Sequence, residues 1–69
     1  MTEKQRRLYD YLSTGKHSVI DIMSSLMMAD PRSIIRNLRE NGIMVCDEWR
    51  RTVTGSKYKV YWIEDEKQG

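Results

Sequence analysis

Four side chains in one short segment, Arg32, Ser33, Arg36 and Asn37, belong to types that can read the edge of a nucleobase. A guanidinium donates to guanine O6 and N7 together, a carboxamide bridges adenine N6 and N7, and a hydroxyl serves either partner. Their spacing matters as much as their chemistry. At about 100° per residue all four share one side of a helix with Glu40, while Pro31, Ile34, Ile35 and Leu38 share the other. Arg39 falls near the border, within reach of a phosphate or of a neighbouring acid. Glu40 follows Arg36 by one turn and is expected to clamp it in an i, i+4 pair rather than accept from cytosine.

The segment also carries its own borders. Asp30 can accept from a free first-turn amide, Pro31 presets the first helical φ, and Gly42 tolerates the left-handed conformation that closes a helix. Only four residues separate Leu26 from Pro31, so the preceding helix must meet this one across a tight turn, the spacing of a helix-turn-helix. That turn has no glycine, and Met27 or Met28 is expected to plug the gap beneath it. The preceding helix opens with a cap at Ser18-Val19-Ile20-Asp21 and repeats Val19, Ile22, Met23 and Leu26 at helical spacing. An earlier helix opens at Thr2-Glu3-Lys4-Gln5, carries Leu8, Tyr11 and Leu12 as its stripe, and stops at Ser13-Thr14-Gly15.

After Gly42 the period changes to two. Ile43, Val45, Asp47 and Trp49 alternate with Met44, Cys46, Glu48 and Arg50, and Tyr58 through Ile63 is rich in aromatic and β-branched residues. Between these strands the run Arg51 to Lys57 has turn chemistry at Gly55-Ser56 and a cation at each end, which predicts a hairpin with a basic tip. Tyr61 and Ile63 are placed on the core side; a one-residue slip would bury Val60 and Trp62 instead. The reading is α+β, one domain over residues 1–63, with a charged tail at 64–69 that is expected to fray.

Composition narrows the function classes. A 69-residue chain buries only about 60% of its unfolded surface, which leaves little depth for a catalytic pocket. Cys46 is alone and His17 is the single histidine, so neither a disulfide nor a tetrahedral zinc site is expected, and no cofactor. His17 precedes the second helix, where it suits loop support or a phosphate contact better than acid-base work. No apolar run approaches the ~20 residues of a membrane span, and a cytoplasmic, nucleoid-associated protein is expected. Net charge is only +2, yet its distribution is uneven: Arg50, Arg51, Lys57 and Lys59 lie in a stretch without an acid, while Glu64, Asp65 and Glu66 crowd the tail.

Three helices followed by a basic hairpin, with Ile35, Leu38, Arg39 and Gly42 in an I-x-x-L-R-x-x-G pattern and a final Tyr61-x-Ile63 pair, resemble the winged helix-turn-helix domains of phages, prophages and mobile elements. The likeness spans residues 3 to 63. It implies double-stranded DNA as partner, with the third helix in the major groove and the wing on the backbone. On the residues alone, Arg32, Ser33, Arg36 and Asn37 would meet base edges, and Arg50, Arg51, Lys57 and Lys59 would neutralise phosphates. Such a protein would regulate transcription or assist recombination. With no long helix after the wing, a monomer is expected in isolation, assembling on DNA or with a partner. One rival expectation is a protein-interaction winged helix that displays Tyr9, Trp49, Tyr58 and Trp62 as one aromatic face in a replication or recombination complex; a third, ranked lower, is RNA or single-stranded DNA recognition, with the rings of the cationic hairpin stacking unpaired bases.

Overall fold

Each helix begins at a side chain that satisfies a free amide. In the computed structural model, which describes residues 1–64, the elements run α1 (Glu3–Leu12), β1 (His17–Ser18), α2 (Val19–Leu26), α3 (Pro31–Glu40), β2 (Val45–Arg51) and β3 (Lys57–Ile63). Thr2 and Gln5 cap α1 reciprocally, the hydroxyl accepting from the Gln5 amide at 3.2 Å and the Gln5 carboxamide from the Thr2 amide at 3.1 Å. Ser18 accepts from the Asp21 amide at 3.1 Å, and Asp30 from the Ser33 amide at 3.4 Å, with Pro31 as the first residue of α3.

The ends of α2 and α3 are built alike. In each, an amide reaches back five residues, Met28 N to Met23 O at 3.3 Å and Ile43 N to Leu38 O at 3.0 Å, around one left-handed residue. At α3 that residue is Gly42, φ 87°, but at α2 it is Met27, φ 55°. Of the two methionines offered for the turn, Met28 is the buried plug and Met27 projects, 86% exposed.

The sheet is antiparallel with order β1-β3-β2. The short β1 had no sequence signature, since two residues cannot show a period; His17 and Ser18 become a strand only by pairing with Tyr61 and Val60. Across the hairpin Val45 faces Ile63, Asp47 faces Tyr61 and Trp49 faces Lys59. Tyr61 and Ile63 join Leu8, Leu12, Ile22 and Leu38 in the core, as expected. Val60 is buried as well, on the far face, because β3 is the central strand and Ser18 and Glu48 flank that position. The fraying expected for the tail falls, from residue 65 onward, outside the described residues. No helix of the described chain is long and apolar enough to cross a membrane.

His17 is part of the packing. Its ring stacks on Tyr11 with centroids 3.9 Å apart, Nδ1 lies 2.7 Å from Asp21 Oδ2, and Nε2 lies 3.1 Å from Thr14 Oγ1. That hydrogen bond is the main reason the Asp21 carboxyl titrates below its ordinary range. The result is an α+β domain in which three helices and a three-stranded sheet enclose one core, with α3 and the hairpin left side by side.

Candidate nucleic-acid interface

The amphipathic pattern of α3 sets the geometry of the site. Ile35 and Leu38 are buried and Ile34 packs against the core, so Arg32, Ser33, Arg36, Asn37 and Glu40 are all turned outward. The outward surface is split into two rows. Arg32 and Arg36 face the hairpin, whereas Ser33 and Asn37 face the opposite side, beside Lys4 of α1 and the turn before α3. The charged and the neutral hydrogen-bonding groups therefore occupy different flanks of one helix.

Between the cationic flank and the hairpin lies a cleft of about 860 Å³. Arg32, Arg36 and Arg39 line it from α3, and Lys57 and Lys59 line it from β3. Among the described residues no carboxylate lines this cleft, so its walls carry charge of one sign. Trp49 forms part of the hairpin wall, with Lys59 Nζ 4.9 Å from its ring centroid, and Val19 and Ile20 reach the cleft from α2.

The five cations are not equally available. Arg39 is committed to the fold: it donates to the Val45 carbonyl from Nε at 3.2 Å and Nη2 at 2.7 Å, and pairs with Asp47 at 2.8 Å. It ties α3 to the first rung of β2. Arg32, Arg36, Lys57 and Lys59 enter none of the ion pairs among the described residues. The clamp expected from Glu40 on Arg36 is thus not formed. An exposed pair with arginine ahead of glutamate is the weaker orientation on a helix, and holding two long side chains together costs rotamer freedom.

In the hairpin the expected basic tip is a basic rung. Arg51 and Lys57 face each other as the last strand pair, and the turn beyond them, Thr52 to Ser56, is uncharged. Like charges placed opposite each other gain from an anion between them. The turn hydroxyls are used locally: Thr52 Oγ1 lies 2.9 Å from Thr54 Oγ1 and accepts from the Ser56 amide at 3.2 Å. Arg50 alternates to the far face, where Glu48 accepts from its Nε at 3.1 Å. Glu48 also accepts from Lys16 at 3.0 Å, the first cause of its lowered pKa, and Lys16 Nζ sits 4.5 Å over the Trp62 ring. Arg50 therefore braces the outer surface of the hairpin, away from Lys57 and Lys59.

The four aromatics offered as one face are dispersed. Tyr9 packs on the core from α1, Trp49 and Tyr58 both line the cleft, and Trp62 sits on the far side of the sheet with Cys46 and Glu48. Among the described residues no three His, Cys, Asp or Glu side chains gather at metal-holding distance. Comparison with family models, curated proteins and solved structures returns no match for this chain.

Two contributions to the site were not assigned from the sequence. The sequence offers Trp49 as an aromatic for a partner protein and the hairpin aromatics, with lower rank, as rings for unpaired bases, whereas its alternation with Val45 and Asp47 puts Trp49 on the inner side of the hairpin beside α3. Lys4 and Ile20 come from α1 and α2, and only the packing of these helices brings them to the flanks of α3.

Proposed function

We propose that the chain is a winged helix-turn-helix protein that binds double-stranded DNA, with α3 in the major groove and the β2–β3 hairpin on the adjacent backbone. The observation that carries this is the cleft: four cations without carboxylate partners among the described residues, Arg32, Arg36, Lys57 and Lys59, converge from a helix and a hairpin on one channel. A phosphate backbone running between the groove-bound helix and the wing would pass through that channel. The element order and the β1-β3-β2 sheet support the winged arrangement. A helix such as α3 is about 10–12 Å across with its side chains, which fits the major groove, about 12 Å wide.

Under this reading Arg32 and Arg36 serve the wing-side flank, contacting guanine edges or phosphate, and Ser33 and Asn37 meet bases on the other flank. Arg51 extends the cationic surface up the wing, and Arg50 acts through Glu48 to hold the hairpin. The biological role is that of a phage- or mobile-element-type transcriptional regulator or recombination factor in the cytoplasm. The protein acts by binding, with no catalytic step. Contact by a module of this size covers about 600–1,000 Å² of protein surface, enough for moderate affinity and too little for strong discrimination by one copy.

The test is titration of random-sequence duplex at several salt concentrations. Two to four phosphate contacts, depending on whether Arg32 and Arg36 meet guanine or phosphate, predict that log K falls with log salt at a slope of about −1.8 to −3.6. Binding that ignores salt, or no association at low salt, defeats the reading. A protein-docking role is favoured by one feature alone, the exposed apolar group of Ile20 and Met23 on α2 with Met27 just beyond its end, and salt-independent capture of a partner chain would support it.

A further inference from the structure

We infer that the strand whose backbone passes through the cleft between α3 and the hairpin leaves the duplex there, its first unstacked nucleotide lying with its phosphate between Arg32–Arg36 and Lys57–Lys59 and its base against Trp49, so that the preferred target carries a single-stranded tail beside the duplex. This rests on the nucleic-acid reading above and narrows it.

Phosphate recognition is served by cations, amides and hydroxyls, and an indole can add only its Nε1–H to it, so the flat face of the ring has no part in it. Yet Trp49 is 65% exposed, on the same wall of the cleft as Lys57 and Lys59. Burying so large a ring is worth several times more than most single surface contacts, and the fold covers it only in part, with Lys59 Nζ 4.9 Å from its centroid. Its position is set by the sheet, since Trp49 is the cross-strand partner of Lys59 and shares a face with Asp47 and Tyr61. A second exposed apolar group, Ile20 at 75%, meets the cleft from α2.

The cleft is therefore amphipathic, cationic along both walls and apolar at Trp49 and Ile20. A base pair within a duplex hides its flat faces in the stack and offers a groove protein only edges and backbone. An unstacked nucleotide offers an anionic phosphate and a bare aromatic face together, the combination these walls complement. The space, about 860 Å³, lies in the range that holds small organic ligands, about 300–1,000 Å³. The opposite flank of α3 has no aromatic side chain beside Ser33 and Asn37, so the stacking function belongs to the wing side alone.

The experiment measures anisotropy with the full chain and three labelled DNAs: a blunt duplex, the same duplex with a short thymidine tail, and the tail strand alone. The tailed duplex is expected to bind about tenfold tighter than the blunt one, the gain one stacked base supplies. In a Trp62→Phe background, tail binding is expected to quench the fluorescence of Trp49. In Trp49→Ala the ratio of tailed to blunt affinity is expected to fall to near one, and Trp49→Phe, which keeps a ring, to retain part of it. Equal affinity for tailed and blunt duplex in the unmodified chain overturns the inference, as does a tail preference that survives Trp49→Ala. If blunt duplex binds without a tail effect, only this inference is lost; if no DNA binds, the nucleic-acid reading falls with it.

Discussion

Replacing Met27 by glycine is expected to stabilise the protein, although it removes a whole side chain. Met27 adopts φ 55°, ψ 43° immediately after α2, where its Cβ crowds the following carbonyl at a cost of about 1–2 kcal/mol. Glycine adopts this conformation without that cost, and the chain uses it at the matching place after α3, Gly42. The side chain of Met27 is 86% exposed, so little burial is forfeited. Against the gain stands the greater freedom of glycine in the unfolded chain, about 0.4–1 kcal/mol. The balance lies between about 0 and 1.6 kcal/mol, centred near 0.8 in favour of Met27→Gly, or a rise in Tm of about 3–6 °C at that centre for a domain of this size. Thermal and urea unfolding followed by circular dichroism measure it directly. Met27→Ala is the control, since alanine suffers the same left-handed crowding and should leave stability nearly unchanged. A fall in Tm for the glycine variant, or an equal rise for the alanine variant, refutes the backbone explanation and assigns the effect to the side chain.

Arg36→Ala is expected to weaken duplex binding by about 1–3 kcal/mol and to relax base preference if the contact is bidentate to guanine; selection from random duplexes checks it, and a loss equal for all sequences reassigns Arg36 to phosphate. Lys57→Ala should lower affinity uniformly and flatten the salt slope by about one, and an unchanged slope would take the wing out of the interface. Arg39→Ala removes both donors to the Val45 carbonyl and the Asp47 pair; with 44% of that side chain exposed, a loss of about 1–2 kcal/mol in urea unfolding is expected, and a neutral result contradicts its role in joining α3 to β2. Asp21, held below its ordinary value of 3.8 chiefly by the His17 hydrogen bond, stabilises the fold fully above that pH and loses its contribution as pH falls through the folded-state value. The stability gap between the unmodified chain and Asp21→Asn should therefore be level at neutral pH and close in strong acid; a gap that persists there shows the carboxylate is not its source.

Features that depend only on neighbours along the chain could be read from residue types and spacing. The caps at Thr2, Ser18 and Asp30, the proline opening α3 and the glycine closing it act within four or five residues, so all three helices were legible before any contact was known. The period of two from Val45 and the turn at Gly55 likewise marked the hairpin. The outward side of α3 followed from its period, and with it the identity of Arg32, Ser33, Arg36 and Asn37 as exposed groups. Tertiary structure decided whatever required a second element. It made His17 and Ser18 a strand by lending them β3, and chose Met28 over Met27 for the core. It drew Arg39 and Arg50 into contacts with Val45, Asp47 and Glu48, and set Arg36 across from Lys57. Local periodicity says which side of an element is wet; only packing says which wet sides face each other, because a cleft is made by the angle between elements, and that angle is set by core residues such as Leu8, Ile22 and Leu38 far from the cations it gathers.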